Sequence, residues 1–560
     1  MQKNAKSILV AMFLVISVLA TTACSMMAKR NDRRTDATRV ATRVDIEASP
    51  QIEADVKLAP ADLATAPEQI YLPDPPLVPG QGLDEEEYKW FESNRMLSVA
   101  ANPFSTFAAD VDTASYSHFR RYLNENEKLP PPDSIRVEEM VNYFQYDYPE
   151  PVEGEPFSVT MERAKCPWNP DSELVSIALQ AEKVSRENRP QSNLVFLIDT
   201  SGSMNSEDKL PLVKRAFSLL TESLTENDRI SMVTYAGSDQ VIFEGLQGTE
   251  QGRILSELDK LEAWGSTHGS AGIVTAYELA EKYFIPGGNN RVLLATDGDL
   301  NVGLTTEGEL VDLVEEKKKS GSFLTVLGFG SGNIKDNRLE ALADHGDGQY
   351  AMIDSVFEAK RVLVEELGAQ LAVVARDVKL QVEFNPEKVK AYRQIGYENR
   401  QMAAEDFDDD SKDGGELGSG HRVVALYEVI LADSEIEVEE PSSRYRGAKA
   451  TASELGKENN KGGMQDEWFS LNLRYKAPEG GDSKLIVKPF IPEKDDKMSE
   501  NMKLSSLVAT VGMKLRGDES VEKVQFSDIL ENLRNLERAK TDDSVEELIS
   551  LVEKAAKLSE

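Results

Sequence analysis

The stretch from Leu194 to Met204 reads Leu-Val-Phe-Leu-Ile-Asp-Thr-Ser-Gly-Ser-Met, and it constrains this 560-residue chain more than any other. Its apolar half is rich in β-branched and aromatic residues, which suits a strand buried on both faces. A strand covered twice needs helices above and below it, so the segment calls for an α/β sheet. The strand then runs directly into Asp199, Ser201 and Ser203, three side-chain oxygens at alternate positions. A packed core has no use for that row of donors, whereas a hard divalent cation does.

From 191 to 368 the pattern alternates between strand and helix. Arg229 to Tyr235, Arg291 to Thr296, Phe323 to Phe329 and Tyr350 to Ile353 read as strands, with Val241 to Phe243 as a short edge strand. Between them Val213, Ala216, Phe217 and Leu220, then Ile273, Ala276, Tyr277 and Ala280, fall at helical spacing. Alternation of this kind predicts a doubly wound, mostly parallel sheet. Ligands of such sheets bind beyond the carboxyl ends of the strands, where strand order reverses. Asp199 follows one buried strand and Asp297 another, while Thr267 lies on the loop Gly265-Ser266-Thr267-His268-Gly269-Ser270 that leads into a helix. Two carboxylates and three hydroxyls suit Mg²⁺, with Ca²⁺ or Mn²⁺ as alternatives, better than zinc. No Cys/His cluster argues for zinc.

Asp199, Ser201, Ser203, Thr267 and the Asp297-Gly298 pair resemble the von Willebrand factor type A domain with a metal-ion-dependent adhesion site. Its motif is Asp-x-Ser-x-Ser, a distant Thr and a later Asp commonly followed by Gly. The resemblance implies a Rossmann-like sheet whose ion is held by these five residues and completed by an acidic side chain of a protein partner. The segments Phe104 to Tyr116, Cys166-Pro167-Trp168-Asn169, Asp297 to Gly303 and Glu405 to His421 resemble the YfbK type of bacterial envelope proteins. That family implies a conserved domain on each side of the type A domain.

The flanks read accordingly. Lys3 and Lys6, the apolar run Ile8 to Leu19 and small residues ending at Ala23-Cys24 make residues 1–23 a secretory signal peptide. Cysteine at the cleavage point resembles the lipobox of bacterial lipoproteins, although Thr21 stands where that motif usually carries Leu, Val or Ile. Lipidation at Cys24 would anchor the chain in the cell envelope. Ser25, in place of the Asp that marks inner-membrane retention, favours the outer membrane. Residues 24–85 carry Lys29, Arg30, Arg33 and Arg34 and then a run of prolines, as expected of a disordered tether. Residues 86–190 read as a small α+β domain. Residues 369–560 read as a β-rich domain ending in three amphipathic helices between 502 and 558, which could cover the strands or pack together.

A formal net charge of -35 repels phosphate backbones and excludes nucleic acid as a partner class. Several other groups invite chemistry. Asp299 and Asn301 fit either an outer shell around the ion or a side-chain-stabilised turn. Asp406 to Asp413 fails the EF-hand pattern and reads as a solvated acidic loop. Asp110 and Asp112 could bind a metal but read more simply as a helix cap and a surface charge, Cys166 reads as a buried structural thiol, and His268 as a surface-loop residue. No His-Glu-x-x-His, Gly-x-Ser-x-Gly or phosphate-binding glycine loop is present. The expectation is therefore a binding protein and not an enzyme: an envelope-anchored receptor or scaffold whose ion captures an acidic side chain of another protein. The alternatives are a structural protein stabilised by its ion, or a metal-dependent hydrolase with His268 as base.

Overall fold

The structure, a computed structural model, describes residues 86–185, 189–265, 269–298, 307–366, 372–438, 466–493 and 497–560. The signal peptide 1–23, Cys24, the tether to residue 85, Thr267, His268, Asp299 and Asn301 lie outside the described residues.

Before the central domain come β1 (Leu97–Ser98), β2 (Phe104–Ala108), α1 (Ala114–Asn124), α2 (Val137–Asn142), β3 (Phe157–Lys165) and β4 (Glu173–Ala181). The central domain comprises β5 (Ser192–Asp199), α3 (Leu210–Glu222), β6 (Arg229–Tyr235), β7 (Asp239–Gln247), α4 (Gln251–Asp259), α5 (Gly269–Lys282), β8 (Asn289–Thr296), α6 (Glu307–Lys318), β9 (Phe323–Phe329), α7 (Asp336–His345), β10 (Tyr350–Ile353) and α8 (Val356–Lys360). After it come β11 (Val373–Phe384), β12 (Val389–Ile395), β13 (Gln401–Met402), β14 (Gly415–Gly418), β15 (Arg422–Leu431), β16 (Phe469–Lys476), β17 (Lys484–Phe490), α9 (Glu500–Arg516), α10 (Phe526–Arg534) and α11 (Asp543–Ser559).

The central sheet has the order β10-β9-β8-β5-β6-β7. All its pairings are parallel except β6 with β7, so the expected mostly parallel sheet is present with one antiparallel edge. The edge strand is longer than expected, Asp239–Gln247 rather than Val241 to Phe243. Successive residues of β5 serve opposite cores: Leu194, Phe196 and Ile198 pack on one face with α3, and Val195 and Leu197 on the other with α5. That is the double coverage its apolar run demands. From β5 the chain winds outward through β6 and β7, then returns to lay β8 on the other side of β5. Strand order therefore reverses between β5 and β8, the point at which sheets of this kind form a crevice at the strands' carboxyl ends.

The segments on either side of the central domain interleave. One sheet runs β1-β12-β15-β4-β3 and another β13-β2-β11-β16-β17, so each mixes strands from before residue 190 with strands from after 369. Their inner faces share one core that includes Phe107, Ile177, Leu380, Tyr427 and Leu471. The sequence pattern reads as a separate domain on each side of the central one; in the structure strands of the two flanking segments pair directly, β2 with β11 and β4 with β15, so both segments contribute to the same two sheets. Helices α9, α10 and α11 pack together and also cover the outer face of the first sheet, with Val508, Leu533 and Leu548 in the same core as Met140, Leu174 and Leu426.

Candidate metal centre

Asp199 ends β5 and Asp297 directly follows β8, which pairs with β5 in parallel register. The two carboxylates thus reach the same crevice by backbone pairing alone. Backbone contacts shape the loop after β5. Thr200 N–H donates to the Tyr235 carbonyl (2.9 Å), Trp264 N–H to the Thr200 carbonyl (2.8 Å) and Gly202 N–H to the Gly265 carbonyl (3.1 Å). The Asp-x-Ser-x-Ser loop is in this way tied to the Gly-rich loop on which Thr267 was predicted to contribute. Gly298 explains why glycine follows Asp297. Its φ is +95°, and a Cβ there would stand 2.7 Å from the Lys335 backbone nitrogen.

Within the crevice Ser201 N–H donates to Asp199 Oδ1 (2.8 Å), and the Thr296 hydroxyl donates to Asp199 Oδ2 (3.2 Å). The Ser201 and Ser203 hydroxyl oxygens lie 3.0 Å apart. Lys209 Nζ donates to Asp297 Oδ2 (3.0 Å) and to Asn333 Oδ1 (2.8 Å). Asp199, Ser201, Asp297 and Lys209 are buried, while Ser203 is exposed. Burial pushes the Asp199 carboxyl up to about 6; hydrogen bonds from Ser201 oppose the shift, and the charge of Asp297 adds to it. Burial acts on Asp297 in the same direction, but the charge of the Lys209 ammonium and hydrogen bonds from Asn333, Lys209 and Ser203 together outweigh it and hold Asp297 below the ordinary aspartate range.

The structure thus brings Asp199, Ser201, Ser203 and Asp297 together, and Thr267 lies outside the described residues. The donor set fits a hard divalent cation. It consists of oxygen only, its hydroxyls can turn their lone pairs outward, and its buried carboxylates repel one another. Sequence reasoning missed Thr296, Lys209 and Asn333. Thr296 sits immediately before the Asp-Gly pair, but nothing in the spacing of Lys209 or Asn333 marks either for this crevice.

A second acidic group is also buried. Carboxylate oxygens of Asp112, Glu139 and Glu340 lie within 4.8 Å of one another, a grouping that could hold a metal ion. Protein donors already occupy it. Asp112 accepts from Tyr350 N–H (2.8 Å) and Arg400 (2.8 Å), and Glu139 from Ser115 N–H (2.9 Å) and the Ser115 hydroxyl (2.8 Å). Glu340 accepts from Arg136 (2.6 Å) and Asn399 (2.6 Å). Asp112, read in the sequence as a cap or surface charge, is instead buried and ion-paired, because folding closes Arg400 over it.

The remaining candidates are quieter. Cys166 is buried, and burial, with Glu428 nearby, pushes its thiol up to about 12, as a structural cysteine requires. In the acidic loop Asp408 and Asp410 pair with Arg474 of β16 (2.7 and 3.3 Å) and pin the loop to that strand, while Asp409 accepts from Ser411 within the loop.

Three family models match the chain. The one described as the C-terminal region of the uncharacterized protein YfbK covers residues 369–558, the von Willebrand factor type A domain covers 193–366, and one described as von Willebrand factor covers 82–176. The uncharacterized protein YfbK of Escherichia coli (strain K12) is 40% identical over 452 residues, which is 79% of this chain and 76% of that protein. The uncharacterized protein sll0103 of Synechocystis is 27% identical over 41% of this chain and 54% of its own length. Among solved structures, a von Willebrand factor type A protein from Catenulispora acidiphila superposes with a TM-score of 0.40 at 14% identity, over 72% of this chain and 91% of that one. Proximal thread matrix protein 1 of the mussel byssus, solved with a zinc-occupied MIDAS motif, has a TM-score of 0.28 at 18% identity over 33% of this chain and 46% of its own.

Proposed function

The chain belongs to the YfbK family of von Willebrand factor type A domain proteins, and from that premise we propose that it is an envelope-anchored binding protein. Its ligand is another protein, captured through a divalent cation at Asp199, Ser201, Ser203, Thr267 and Asp297. One observation carries the reading: the motif residues at the ends of β5 and β8 meet in a single crevice at the switch point of the sheet. The ion would supply a coordination position for a carboxylate of the partner, with Mg²⁺ first and Ca²⁺ or Mn²⁺ as alternatives. The chain's own residues hold it with oxygen donors and keep both aspartates out of bulk water. Trp264, 72% exposed, stands on the loop hydrogen-bonded to the Asp199–Ser203 segment. An exposed tryptophan beside a charged centre is the composition of a protein-binding hot spot. In this reading the protein is a receptor or scaffold and not an enzyme, lipidated at Cys24 and facing other envelope proteins.

Capture of envelope proteins by the full-length chain, with and without chelator, tests the reading. The expected result is a captured protein that is lost with chelator and lost in Asp199→Ala, with capture by Trp264→Ala weakened about 10-fold or more. Capture that survives both chelation and Asp199→Ala overturns the metal-dependent binding. Fractionation of cells carrying Cys24→Ala tests the anchor separately: the variant should leave the membrane fraction.

A further inference from the structure

Lys209 has no place in the adhesion motif, yet its ammonium pairs with one of the motif's carboxylates, Asp297. It precedes α3, where a positive charge opposes the helix dipole, so helix stability does not account for its position. It is buried, and a buried ammonium requires a partner. Its Nζ bridges Asp297 Oδ2 (3.0 Å) at the end of β8 and Asn333 Oδ1 (2.8 Å) in the loop after β9. The loop after β9 is shaped to admit it. Gly330 has φ +84°, and a Cβ on it would stand 2.4 Å from both Cγ and Cε of Lys209. The neighbouring Asp208 accepts a hydrogen bond from Ser331 (3.2 Å), fastening the same two loops. The lysine stem therefore lies in a channel that only glycine leaves open.

We propose that Lys209 is a resident monovalent cation that shares Asp297 with the divalent ion and sets the affinity of the site for that ion. The inference rests on the metal reading above. The formal charge offered by Asp199 and Asp297 is partly cancelled before an ion arrives, and one oxygen of Asp297 stays committed to the ammonium. An incoming divalent ion meets both effects, the repulsion being strong because the crevice is shielded from water. The arrangement makes the centre a weak binder on its own.

Titration of Mn²⁺ into full-length protein, with free ion counted by electron paramagnetic resonance, reads the effect directly. Lys209→Gln keeps a donor for Asp297 and Asn333 but removes the charge, and Lys209→Met removes both. Each should bind Mn²⁺ about 10-fold tighter or more than the parent protein, whereas Lys209→Arg should stay within about 3-fold. In chelator, Lys209→Met should melt at a lower temperature than the parent protein, because the buried carboxylates lose their counter-charge, and Mn²⁺ should restore it. Unchanged or weaker affinity in Lys209→Gln, beside binding by the parent protein, overturns this inference and leaves the metal reading standing. No Mn²⁺ binding by the parent protein or any variant overturns both.

Discussion

Two groups of buried carboxylates flank the same α/β domain, and their partners separate them. Along α7, Asp336, Glu340, Glu139 and Asp112 meet the guanidiniums of Arg136 and Arg400, with Arg136 3.1 Å from Asp336 and 2.6 Å from Glu340. In the crevice, among the described residues, Asp199 and Asp297 meet hydroxyls, the Ser201 backbone N–H, the Asn333 side chain and the Lys209 ammonium. A guanidinium is a fixed fork of donors that cannot accept, so it fills a carboxylate's lone pairs for good. A serine hydroxyl can donate to a neighbour or turn its lone pair toward a cation. The first group is thus an internal lock joining the central domain to the sandwich, and the second keeps acceptor capacity for the cation proposed above. Acidity and burial are common to both; the kind of donor decides between them.

The contrast can be broken most forcefully at the lock. Arg136→Met leaves Asp336 and Glu340 buried without their main counter-charge. It should cost about 3–5 kcal/mol of stability in chemical denaturation. A loss below about 1 kcal/mol would show that the lock is not what holds the domains together.

Acid should act next. Burial alone would raise Glu358, but Arg361 and Arg120 outweigh it and hold its carboxyl at about 2, against an ordinary value of 4.5. The folded pKa is depressed, so the stabilisation is present above pH 4.5 and is lost as pH falls toward 2. The loss should be on the order of 3 kcal/mol, visible in denaturation curves across that window and absent from Glu358→Gln.

Glu138 sharpens the comparison from the opposite side. It is buried and its Oε2 has no hydrogen-bond partner. Burial, then the charges of Glu398 and Glu139, push its carboxyl up to about 7. A raised carboxylate pKa means that the folded state holds the proton, so stability falls as pH rises from 4.5 through 7. Glu138→Gln should therefore stabilise the protein by about 1–3 kcal/mol near pH 8, with the gain gone near pH 4.

The smallest effect on stability should come from the crevice. Asp199→Asn preserves shape and most hydrogen bonds and should shift stability by about 1 kcal/mol or less, while abolishing Mn²⁺ binding. Loss of folding comparable to that of Arg136→Met would erase the distinction between the two groups.

The parts of this picture legible in the sequence are those with short-range signatures. The two-faced β5 announced itself through continuous apolar residues, and its Asp-x-Ser-x-Ser loop through spacing. Asp297 announced itself through the buried strand before it and the glycine after it, whose φ of +95° the structure shows. The three terminal helices were visible as apolar stripes, though not the surface they cover. The lock was not legible. Arg400 reaches Asp112 across 288 residues and Arg136 reaches Glu340 across 204, and no periodicity carries information over that distance. Lys209 was missed for a related reason. Its role depends on a channel opened by Gly330 in a different loop, so nothing adjacent in the chain marks it.

Sequence alone determined the α/β domain, the oxygen donors at the strand ends and the family to which the chain belongs. Each follows from local rules: the burial pattern of a strand, the wrapping of helices on both sides of it, and the chemistry of donors two residues apart. Tertiary structure alone decided that the flanking segments share two sheets and that one set of acids is closed by arginines. It also decided that a lysine stands beside Asp297. Those outcomes depend on which surfaces meet once the chain is closed. A charged side chain reveals its partner only when both have left water together.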